Sequence, residues 1–72
     1  MKVNYKLLKQ IMIGQMKGDS FNAELASVLN ISYPAASLKM RGKTNFTTEQ
    51  MNKIKEHYNL SNDLFMRVFL GG

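Results

Sequence analysis

Glu24-Leu25-Ala26-Ser27-Val28-Leu29-Asn30-Ile31-Ser32 is the stretch on which the fold turns. Leu25, Ala26, Val28 and Leu29 recur at helical spacing and supply one apolar face. Asn30 follows where a helix stop needs a positive φ, which Asn tolerates better than most residues. Ile31 comes next, and Ser32 can cap a new helix. Pro34 falls inside that helix's first turn, where a missing N–H costs nothing. The new helix runs on through Ala35, Ala36, Ser37, Leu38, Lys39 and Met40 to a stop at Gly42. Upstream, Ser20 is the natural cap, with Phe21 the alternative because Glu24 lies three residues after it. Residues 20–42 therefore read as two short helices joined by a tight turn. Ala26 is small enough for a close crossing, and Ile31 plugs the gap beneath the turn.

The flanks read as helices too. Asn4 caps the first, with Val3 and Leu8 placed as a hydrophobic staple. Tyr5, Leu8, Met12 and Met16 recur on one side; Gly14 weakens the last turn and Gly18 offers a left-handed stop. Downstream, Thr47-Thr48-Glu49-Gln50 is a capping box between the staple residues Phe46 and Met51. That fourth helix continues through Ile54 and Tyr58 to a stop at Asn59. Ser61 caps a fifth, over about 61–70, whose apolar side is Leu64, Phe65, Val68 and Phe69. Met66 and Leu70 are left outside for a partner or a second copy, unless this helix is a loosely held tail. No strand pattern intervenes, so the expectation is all-α, five helices, in one domain spanning 1–72.

Composition narrows the function. The chain has 72 residues, no cysteine and one histidine, His57, which excludes disulfides and argues against structural zinc. A core this small buries only ~60% of the unfolded surface, which favours locally connected helices. No glycine-rich phosphate loop, paired carboxylates or Ser/His/Asp set is present, so neither an enzyme nor a cofactor is expected. No apolar run approaches the ~20 residues of a membrane span and no cleavage site follows the start, so a cytoplasmic location is expected. The net charge is +5, and the seven cations up to Lys43 face two acids, Asp19 and Glu24. Lys39, Arg41 and Lys43 sit together in an acid-free stretch, which points to phosphate contacts.

The run from Glu24 to Ser32 resembles the "ELAxxLGIS" segment of Cro/C1-type helix-turn-helix proteins. Ser37-Leu38-Lys39-Met40-Arg41-Gly42-Lys43 and the later Phe46-Thr47 resemble the small phage-encoded branch of that family, and most of all its modulators of repression. The resemblance spans Tyr5 to Phe69 and implies a lambda-repressor-like domain that lays its third helix in the DNA major groove. It implies base-reading positions at Tyr33, Pro34, Ser37 and Leu38, a phosphate contact at Asn22, and backbone contacts from Arg41 and Lys43.

The chain departs from that pattern where bases are read. Pro34 and Leu38 offer no donor or acceptor, and Tyr33 and Ser37 offer one hydroxyl each. One extra residue also lies between Gly18 and Glu24. Two functions follow. In one, Tyr33, Pro34, Ala35 and Leu38 form an apolar face that covers the phage main repressor, making the chain an antirepressor. In the other, the charge and fold serve an autonomous Cro-type repressor of double-stranded DNA. The resemblance favours the first, because modulators of repression accompany a main repressor in a bacterial host.

Overall fold

The structure is a computed structural model, described for residues 2–70; Met1, Gly71 and Gly72 lie outside that description. It contains five helices and, among the described residues, no strand: α1 Tyr5–Ile13, α2 Phe21–Leu29, α3 Tyr33–Met40, α4 Thr48–His57 and α5 Asn62–Phe69. Every helix begins on a polar cap. Asn4, Ser20, Ser32, Thr47 and Ser61 each accept a hydrogen bond from the backbone N–H three residues on. Ser20, not Phe21, caps α2, and Gln50 closes the capping box by accepting from the Thr47 amide at 3.0 Å.

Three helices end by the same device. Asn30, Gly42 and Asn59 take φ of 56°, 76° and 53° after α2, α3 and α4. In each case the following amide returns to a carbonyl five residues back: Ile31 to Ala26, Lys43 to Leu38, Leu60 to Lys55. These are Schellman stops, which satisfy carbonyls that a helix end leaves bare. The first turns the chain within three residues, so α2 is laid directly against α3; α4 and α5 are joined by four residues, and α3 and α4 by seven.

The end of α1 corrects the sequence reading. Gly18 is not a left-handed stop; Gly42 is the glycine with positive φ among the described residues. α1 closes at Ile13, with Gly14 still right-handed and the amides of Gln15 and Met16 both donating to the Met12 carbonyl. The Gln15 side chain then donates to the Tyr58 carbonyl at 3.3 Å, so α1 is terminated against the end of α4.

One core unites all five helices. Leu8, Met12, Leu25, Ala36, Ile54, Val68 and Phe69 are fully enclosed, with Leu29, Met40, Phe46, Met51, Tyr58 and Leu60 around them. Ala36, the fourth residue of α3, is enclosed outright; Ala26 and Ile31 are half-buried against the same core. Phe69 packs edge-on to Phe46 and tilted against Phe65, so α5 closes the core. Met66 and Leu70 stay outside, 54% and 60% exposed. The Asn4 amide donates to the Val68 carbonyl at 2.7 Å, joining the start of α1 to the end of α5. Among the described residues no helix is long and apolar enough to cross a membrane.

Candidate nucleic-acid and protein interface

α3 meets the core through Ala36 and Met40. At roughly 100° per residue, this turns Pro34, Leu38 and Arg41 outward, with Tyr33 and Ser37 along one edge. Tyr33 is 53% and Leu38 38% exposed, and Pro34 and Arg41 are exposed as well. Ser37 is half-buried. The outward face is thus apolar at its centre and cationic at its C-terminal end.

Two sequence-derived residues lie elsewhere. Ala35 is half-buried, on the edge opposite Tyr33, and does not belong to the outward face. Lys39 shares that edge. Its ammonium donates to the Asn45 carbonyl at 2.7 Å and stands 5.7 Å from the Phe46 ring centroid. It ties the α3–α4 loop to the core instead of standing with Arg41 and Lys43. The Lys39–Arg41–Lys43 group is therefore split by the geometry, as residues two apart on a helix end must be.

A second group forms in its place. Lys9, Phe21, Asn22, Met40 and Arg41 line a cleft where α1, the start of α2 and the end of α3 converge. The Lys9 ammonium lies 5.6 Å from the Phe21 ring centroid, which holds it near the first turn of α2. Asn22 occupies the second helical position of α2, where backbone N–H groups and the helix dipole favour an anion. The Asn22 side chain first, and Ser20 after it, lower the pKa of the Tyr33 phenol from the usual tyrosine value. The first residue of α3 and the first turn of α2 therefore form one continuous surface. Lys9 was one of several scattered lysines in the sequence. Its place here depends on α1 crossing α2, which no local pattern encodes.

Gly42 completes the corner. A Cβ placed there would sit 3.7 Å from the Tyr5 hydroxyl, so α1 packs directly on the α3 stop. Burial raises the Tyr5 pKa. Lys43, just beyond, is exposed.

Charge follows the same division. Residues 2–43 carry seven cations and two acids, whereas residues 44–70 carry three of each. In that second half Lys53 pairs with Glu49 and Arg67 with Asp63. All of the net positive charge thus belongs to the half that contains α1, α2 and α3.

No curated protein and no solved structure matches the chain. The sequence model of the BetR domain does, over residues 3–69, which takes in all five helices. BetR domains are small domains of phage and bacterial regulators. The chain belongs to the BetR domain family, and its role is regulatory.

Proposed function

We propose that this chain is an antirepressor of a phage genetic switch, built on a Cro/C1-type helix-turn-helix scaffold. Its α3 face, Tyr33, Pro34, Ser37 and Leu38, docks on the phage main repressor and keeps that repressor from its operator. The exposure of Tyr33 and Leu38 carries this reading: they stand where a base-reading helix needs polar forks. Each good bidentate base contact is worth ~1–3 kcal/mol of discrimination, and this face supplies none. An exposed tyrosine such as Tyr33 is a common anchor of protein interfaces instead, and Leu38 adds apolar area beside it.

The Lys9, Asn22 and Arg41 group favours a second reading, a Cro-type repressor that grips the DNA backbone. Co-purification with the main repressor of the same phage, followed by a gel shift on that repressor's operator at fixed moderate salt, separates the two. An antirepressor forms a stable complex that no longer shifts the operator. Sequence-specific binding of the operator by the isolated chain at nanomolar concentration would sink it in favour of the second reading.

A further inference from the structure

The cleft between Lys9, Asn22 and Arg41 opens beside the apolar face of α3, and its charge limits what can cover that face. Arg41 follows Leu38 by one helical turn, so a partner seated on Leu38 reaches the guanidinium. The Lys9 ammonium and the Asn22 side chain line the same cleft. Neither Lys9 nor Arg41 is paired with an acid among the described residues; the ion pairs there are Lys53–Glu49 and Arg67–Asp63. A partner with a purely apolar or basic contact surface would leave these two cations desolvated without a counter-charge, which weakens association.

Resting on the antirepressor reading, we infer that the repressor surface covering α3 carries an Asp or Glu carboxylate that enters this cleft. Arg41 receives it as a planar fork, Lys9 neutralises it, and Asn22 donates an amide hydrogen bond. The interface then has an apolar centre at Tyr33 and Leu38 and one acidic anchor from the partner at its edge. The anchor fixes which way round the two proteins meet and speeds their encounter.

The test measures association of this chain with the phage main repressor by surface plasmon resonance, at about 50 mM and about 500 mM salt, where screening differs several-fold in range. Circular dichroism checks that each variant is folded. Arg41→Glu and Lys9→Glu are expected to slow association about tenfold at the lower salt and much less at the higher. Lys17→Glu, outside the cleft, is the control and stays within about twofold at both. An Asp→Lys or Glu→Lys exchange on the repressor that restores binding to Arg41→Glu identifies the anchor. Loss of association in Leu38→Arg with no effect of Arg41→Glu or Lys9→Glu overturns the carboxylate and leaves the α3 interface standing. An unchanged Leu38→Arg overturns the α3 interface and this inference with it. Faster association of Arg41→Glu means a basic partner edge, and also overturns the inference. So does a mixed-sequence DNA duplex that loses binding to Arg41→Glu while the repressor does not, because the cleft then serves phosphate.

Discussion

The Tyr58 hydroxyl donates a 2.7 Å hydrogen bond to Glu24 Oε2, joining residues 34 positions apart. Tyr58 ends α4 and is almost fully buried; Glu24 lies in the first turn of α2. This bond pins the charge-balanced half of the molecule to the helix that supports α3. Tyr58→Phe leaves a half-buried carboxylate without its donor, and a loss of about 1.5 kcal/mol is expected in urea denaturation. Glu24→Gln keeps an acceptor oxygen and should cost less.

The same bond sets an alkaline limit. Burial first, then the Glu24 hydrogen bond and charge, push the Tyr58 pKa well above the usual tyrosine value. The folded chain therefore holds its proton after the unfolded chain has released it. Stability from this group is fully present below about pH 10 and falls as pH rises beyond the unfolded value. Thermal melts at about pH 8 and about pH 11 should show a smaller loss for Tyr58→Phe than for the parent chain.

Gly42→Ala isolates backbone strain from packing. Its φ of 76° is the left-handed region, while the added Cβ meets Tyr5 at ordinary contact distance. A cost of about 1 kcal/mol is expected, paid through φ alone. Asn59→Gly, at φ 53°, should be neutral or slightly stabilising by the same logic. Chemical denaturation of both variants reads the two signs.

Phe69→Ala removes the ring that Phe46 and Phe65 pack against, at a position with no exposure. A loss of about 3–5 kcal/mol is expected. At about 4–8 °C per kcal/mol for a domain of this size, circular dichroism should show a melting temperature lowered by at least about 12 °C. Met66→Ser on the exposed side of α5 should leave the melt within about 2 °C of the parent.

Lys39→Met and Arg41→Met should separate structure from function. Lys39 spends its ammonium on Asn45 and Phe46, so its loss is expected to cost about 0.5–1 kcal/mol of stability and leave association with the repressor intact. Arg41 contributes its side chain to the cleft, and its loss should leave the melt unchanged and weaken association several-fold.

Much of this was legible residue by residue. The five caps and the stops at Asn30, Gly42 and Asn59 depend on side chains acting within one turn of themselves, and local chemistry suffices to read them. Gly18 misled because glycine permits a left-handed turn without requiring one. α1 ends where the Gln15 side chain finds the Tyr58 carbonyl, a partner 43 residues away. The positions of Tyr33, Pro34 and Leu38 on α3 were implied by the resemblance to helix-turn-helix proteins, and the structure leaves all three exposed. The places of Lys9 and Lys39 were not legible, since each is set by a neighbouring segment: Lys9 by the crossing of α1 over α2, Lys39 by the loop that brings Asn45 back. Glu24 was read only as a capping clue, and its bond to Tyr58 depends on how α4 lies across α2.

The backbone bond between Asn4 and Val68 brings the beginning and the end of the described chain to one corner. A unit whose ends meet can be spliced. New ends cut into the exposed loop at Lys43–Asn45, with the old ones bridged by a few flexible residues, should give a circular permutant that still folds. The fold needs its five segments in contact, and the order in which they are synthesised is a free variable for the engineer.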